Sequence, residues 1–104
     1  MSKFSLFGKF TVQEGQRDSM VEILLEAAES MNDLNECEVY LVSVSKDESD
    51  AVYVYEVWSN EEAHRASLSL EVTQQLIQRA KPIIMGMERI STLKTVGGKG
   101  LPSS

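Results

Sequence analysis

The residue types best suited to chemistry gather in one stretch, Val54-Tyr55-Glu56-Val57-Trp58-Ser59-Asn60-Glu61-Glu62-Ala63-His64. His64 is the sole histidine, so any proton moved near neutral pH by an unperturbed side chain passes through it. A histidine after Glu61-Glu62-Ala63 equally fits an exposed helix face. Trp58, the only tryptophan, serves either as a core anchor with its indole N–H bonded or as a wall of a binding pocket. Glu56 shares a strand face with Trp58, an unusual place for a carboxylate. It is read in two ways: paired with a basic neighbour such as Arg65, Arg79 or Arg89, or held in an apolar pocket where it orients a substrate hydroxyl. The familiar catalytic signatures are missing from the sequence: no phosphate loop, no G-x-G-x-x-G, no G-x-S-x-G and no C-x-x-C.

These residues need a scaffold. Lys3 to Val12 carries Phe4, Leu6, Phe7, Phe10 and Val12 among small and polar residues, a run of strand length. After a break at Glu14-Gly15, Met20, Ile23, Leu24, Ala27 and Met31 recur at three- and four-residue spacing, which predicts an amphipathic helix ending around Asn32-Asp33. Glu38 to Ser45 and Ala51 to Trp58 are dense in β-branched and aromatic residues and are separated by the charged Lys46 to Asp50, a hairpin. A short helix opens at Ser59 or Asn60, with Glu62 placed to complete a capping box from Ser59. A second helical pattern, Val72, Leu76, Ala80 and Ile83, is interrupted near Pro82, and Met87 to Val96 forms the last strand. Met20, Met31, Met85 and Met87 fall at core positions, and Cys37 reads as a small core residue.

The order β-α-β-β-α-β predicts an α+β, ferredoxin-like domain: an antiparallel sheet with helices on one face. Residues 1–96 form that single domain and 97–104 a glycine-rich tail. Strand three places Val52, Val54, Glu56 and Trp58 on one face and Ala51, Tyr53, Tyr55 and Val57 on the other, so both faces need cover. Helices cover one. A second copy of the chain is the economical cover for the other, which predicts a homodimer joined through Tyr53, Tyr55 and Val57.

Composition narrows the function classes. The chain has 104 residues, 42 % hydrophobic and 25 % charged, within the range of ordinary globular domains. Its net charge of −6 disfavours nucleic acid and anionic lipid as partners. One cysteine and one histidine do not make a protein-only zinc site, and no stretch approaches the apolar length of a membrane span. A cytoplasmic location is expected from the sequence, with no metal and no membrane partner.

Tyr55 to Leu68, with Glu61-Glu62-Ala63-His64-Arg65-Ala66-Ser67-Leu68 at its core, resembles the antibiotic biosynthesis monooxygenase family, particularly its small quinol monooxygenase subgroup. Ala80-Lys81-Pro82-Ile83-Ile84 is similar to the end of the family's last helix, and Val96 to Leu101 to its closing segment. The resemblance implies a dimeric α+β barrel. It also implies oxidation of a small phenolic, hydroquinone or polycyclic aromatic substrate by O2 without metal, flavin or other cofactor. On that basis His64, Trp58 and Glu56 form the expected catalytic set, and Phe4, Leu6, Val54, Ser67 and Leu68 the expected pocket. Many members carry a histidine nine residues after the tryptophan, where this chain has Ser67, so family-wide roles do not transfer directly to His64. The heme-degrading branch uses an asparagine on strand one and a later histidine; Phe4 to Val12 has no asparagine and no histidine follows His64, which disfavours that chemistry. The rival expectation is a non-enzymatic ligand-binding or stress-related dimeric module on the same fold.

Overall fold

The computed structural model describes residues 3–101. The elements run β1 (Lys3–Val12), α1 (Arg17–Ser30), a 3-10 turn (Met31–Asp33), β2 (Cys37–Val44), β3 (Ala51–Trp58), α2 (Glu61–Ser67), α3 (Glu71–Ala80) and β4 (Ile84–Thr95). The four strands form one antiparallel sheet in the order β2-β3-β1-β4, the ferredoxin-like arrangement.

The helical spacing of the α1 sequence has its physical outcome in the core. Met20, Ile23, Leu24 and Ala27 turn one stripe of α1 onto Val52 and Val54 of β3, and Leu76 and Ala80 of α3 close the cluster. Gly15 takes φ of 81° in the turn before α1, a conformation that side chains resist. An ion pair of 2.8 Å between Glu26 and Arg79 ties α1 to α3 on the outside. Arg17 donates to the carbonyls of Ser45 and Glu48 and so fixes the β2–β3 loop against the start of α1. The helices pack chiefly over the β2–β3 half of the sheet, with α1 on both strands and α2 on β3.

Several local expectations change. β4 begins at Ile84, earlier than Met87, because β1 pairs with it as far as Val12 opposite Ile84. Met85 and Met87 are exposed instead of buried, since β4 is an edge strand beyond the reach of α1 and α3; Val72 is exposed as well. Met20 and Met31 are core residues as expected. The cap of α2 is Asn60, whose Oδ1 accepts from the Ala63 N–H at 2.8 Å. Ser59 does not cap; its hydroxyl lies 3.3 Å from Glu38 Oε2, because a bulge between Cys37 and Val39 carries the Glu38 carboxylate to it.

The face of the sheet away from the helices carries Phe7, Tyr53, Tyr55, Leu41 and Leu93, with Phe7 and Tyr53 stacked at 5.8 Å. Leu41 is 57 % exposed. Val57, on the same face, is only 1 % exposed within one chain, so its burial needs no second copy.

Candidate functional site

β3 delivers Glu56 and Trp58 to the helix side of the sheet, two residues apart on one face. The chain then turns at Ser59 and enters α2, and the Asn60 cap starts that helix so that His64 falls one turn later, over the end of β3. A cap of this kind is worth about 1 kcal/mol, a large share of what holds a helix of two turns in place. Ser67 bonds back to the His64 carbonyl at 2.6 Å, closing the same turn.

The three side chains converge. The indole N–H of Trp58 donates to Glu56 Oε1 at 3.0 Å, and His64 Nε2 stands 3.9 Å from the same oxygen. The imidazole sits against the Trp58 ring edge, with centroids 5.5 Å apart, and faces Phe4 at 5.7 Å. Trp58 is 1 % exposed, and the side chains of His64 and Glu56 are 12 % and 18 % exposed. His64 is therefore enclosed, not on the open face of a surface helix.

Burial sets the protonation states. Removal from water lowers the proton affinity of His64, the charges of Arg89 and Arg65 lower it further, and Glu61 opposes them. Burial raises the pKa of Glu56, against the Trp58 hydrogen bond and the charge of Arg89. At 3.9 Å the two groups are in contact, and burial disfavours the charged form of each. None of the arginines considered as a partner for Glu56 takes that place: Arg65 pairs with Glu61 and Arg79 with Glu26, while Arg89 forms no ion pair with any described residue.

Beside this cluster lies a cavity of about 420 Å³ between sheet and helices, lined predominantly by apolar side chains. Its volume falls within the range of small-molecule sites. Leu6, Val54, Glu56, Trp58, His64, Ser67 and Leu68 all line it, whereas Phe4 backs His64 without forming part of the wall. The space exists because the helices lean over β2 and β3 and leave the β1–β4 side of that face uncovered. Sequence reasoning did not place Gly8, Tyr40 or Arg89 in the lining. The signal for Gly8 was available: a glycine inside an aromatic-rich strand marks a close backbone approach or a gap. Tyr40 pairs with Glu56 across the strands, and burial, followed by the Glu56 and Cys37 charges, holds its phenol well above its usual range. Cys37 is pushed up to about 11, by burial first and then by Glu56 and Glu38, which leaves it a protonated, unreactive thiol near neutral pH.

Tyr53 and Tyr55 lie on the other face, away from this cavity; the Tyr53 hydroxyl bonds to Glu48 and the Tyr55 hydroxyl to Thr95 at 3.1 Å. Among the described residues, no group of three or more His, Cys, Asp or Glu side chains is placed to hold a metal ion, and no helix is long and apolar enough to cross a membrane.

Comparison with known proteins places this architecture. The model of the antibiotic biosynthesis monooxygenase family matches residues 4–79, which takes in β1 through most of α3. The chain is similar to a candidate antibiotic biosynthesis monooxygenase from Chloroflexus aurantiacus J-10-fl, at 36 % identity over 96 % of this chain and 99 % of that one, with a TM-score of 0.81. A second candidate of that family, from Deinococcus radiodurans, shares the fold at 18 % identity, 97 % and 98 % coverage and a TM-score of 0.74. A protein from Pseudomonas aeruginosa also shares it, with 13 % identity, 93 % and 97 % coverage and a TM-score of 0.83. No functionally curated protein matches the chain. With the family model spanning most of the sequence and a relative at 36 % identity along nearly all of it, the chain belongs to the antibiotic biosynthesis monooxygenase family.

Proposed function

We propose that this chain is a cofactor-independent monooxygenase that oxidises a small phenolic, hydroquinone or polycyclic aromatic substrate with O2. The observation that carries the reading is the convergence of His64, Glu56 and Trp58 on one wall of an apolar cavity. A neutral imidazole in an enclosed site is a proton acceptor. His64 takes the phenolic proton, and the electron-rich phenolate passes one electron to O2 in a predominantly apolar pocket. The resulting pair combines at a ring carbon as a peroxide, which loses water to leave a carbonyl. One oxygen atom enters the product, the other leaves as water, and the substrate supplies all four electrons. Trp58 walls the cavity and clamps Glu56, and Glu56 orients the imidazole or the substrate hydroxyl.

The test is oxygen uptake in the presence of a panel of hydroquinones and fused-ring phenols, with anaerobic controls. Oxygen-dependent product from at least one member is expected. Ligand binding with no oxygen consumed by any member, and no change on His64→Ala, would mark a binding module instead.

The same reading takes the chain to be a homodimer. Tyr53 and Tyr55 stand on a sheet face whose apolar residues, Leu41 and Leu93 among them, remain exposed in one chain. Val57 is on that face too and is already buried within one chain. Pairing two such faces removes them from water and leaves each cavity on the outer, helix-covered side. Light scattering is expected to give twice the chain mass; a monodisperse monomer at micromolar concentration removes the dimer.

A further inference from the structure

On the helix-side face of the sheet the missing side chain of Gly8 adjoins Arg89, which forms no ion pair with any described residue. Gly8 pairs with Val54 on one side and Arg89 on the other, so the three residues form a row across β3, β1 and β4. The row has a wall at Val54, a gap at Gly8 and a guanidinium at Arg89, and all three line the cavity. A bulge between Phe7 and Gly8 shifts the β1–β4 register there and brings Arg89, not Ile90, opposite the glycine. Glycine is not required by the backbone: its φ is not positive, and an added Cβ would meet only the Glu88 carbonyl oxygen, at 3.5 Å. What the glycine preserves is flat, open space between the apolar wall and the cation.

We propose that the cavity selects a flat aromatic ligand bearing an anionic oxygen, its ring lying across Gly8 and its negative group held by Arg89. This rests on the reading of the cavity as an aromatic substrate site and names the charge class of that substrate. Arg89 makes no ion pair with any described residue, so its charge is available to a ligand. The field of Arg89 reaches the cluster: burial dominates the proton affinities of His64 and Glu56, but Arg89 depresses both. A positive potential that disfavours protons at these groups favours an oxyanion beside them. Lys81 borders the cavity as a second cation, while the Glu88 carboxylate lies with Lys9 on the opposite face of the sheet. A guanidinium is suited to this task because its planar fork meets a carboxylate or phenolate oxygen through directed N–H donors.

Calorimetric titration without turnover tests the proposal, with naphthoate compared against its neutral, near-isosteric carboxamide and with quenching of Trp58, the only tryptophan, reporting that the ligand sits in this cavity. Naphthoate is expected to bind at least about tenfold more tightly than the carboxamide, the scale of one charge-assisted contact. Arg89→Gln should bring the two within about twofold, and Arg89→Lys should restore part of the preference. Gly8→Val should abolish binding of both while the far-ultraviolet circular dichroism is unchanged. Naphthol, whose absorption band shifts on ionisation, separates the sources of the charge: a naphtholate band appearing on binding near neutral pH identifies phenolate, and its absence with naphthoate preferred identifies carboxylate. Equal affinity for naphthoate and carboxamide, an unchanged preference in Arg89→Gln, or no binding of either ligand overturns the proposal. Because no step consumes oxygen, a chain that binds with this preference yet oxidises nothing would sink the monooxygenase reading and leave the charge selection standing.

Discussion

His64→Ala is expected to lower kcat/KM for an oxidisable hydroquinone by about 10²- to 10⁴-fold, the range spanned by a positioned general base. The size of the effect follows from the setting: His64 is the only histidine, and its imidazole is enclosed by Phe4 and Trp58 at the wall of the cavity. The pH profile separates this role from a packing role. Burial, followed by the charge of Arg89, depresses the pKa of His64 below its ordinary 6.5. The base therefore stays neutral into mildly acid solution, and the rate should fall on the acid side with a midpoint below 6.5. Stability follows the same sign. A depressed folded-state value means that the unfolded chain binds the proton more readily, so this contribution is full above 6.5 and is lost as pH falls toward the folded value. In His64→Ala the acid limb of the rate should vanish along with most of the rate. An unchanged rate, or a limb that persists in the variant, sinks the assignment of His64 as the base.

How far this site could be read from sequence depends on whether the governing forces are local. β3 was legible from end to end, because alternating β-branched and aromatic residues from Ala51 to Trp58 are bounded by a charged loop and by Ser59-Asn60. The placement of Glu56 and Trp58 on one face followed from strand geometry alone. That His64 joins them depends on the angle at which α2 leaves the strand, and short-range rules do not set it. Nor do they show that Arg65 and Arg79 are occupied by Glu61 and Glu26, which leaves Arg89 as the arginine whose charge acts on Glu56. The misplaced start of β4 and the burial assigned to Met85 and Met87 have one cause. An apolar run after Pro82 looks like core material, but the pairing with β1 makes it an edge strand largely uncovered by helices, where Ile84 packs on the core and Met85 and Met87 stay exposed. The same uncovered strip is the origin of the cavity, so the feature hardest to read locally is the one that creates the site.

Trp58 carries the largest expected effect on stability. The side chain is 1 % exposed, and its removal in Trp58→Ala is expected to cost about 3–5 kcal/mol from the lost contacts and the cavity left behind. Loss of the indole donor adds to this, because Glu56 Oε1 would remain in a largely desolvated place without its 3.0 Å partner. Against a total of roughly 5–15 kcal/mol for a domain of ordinary stability, that variant stands near unfolding in chemical denaturation. Trp58→Phe divides the two contributions, since it keeps an aromatic ring in the core and removes only the donor. The hydrogen bond from Trp58 is the leading influence that opposes the effect of burial on Glu56. Its removal should therefore move the titration midpoint of Glu56, followed by carbon NMR of the labelled carboxyl, further above the value in the parent chain. The stability curve then changes in a defined direction. A carboxyl whose folded-state pKa is raised contributes stability that is fully present below its ordinary 4.5 and is lost as pH rises through the folded value. Trp58→Phe should extend that loss to higher pH. An unmoved Glu56 midpoint in Trp58→Phe would mean that the indole fills space without clamping the carboxyl, and Glu56 would then lose its place as the group that orients His64.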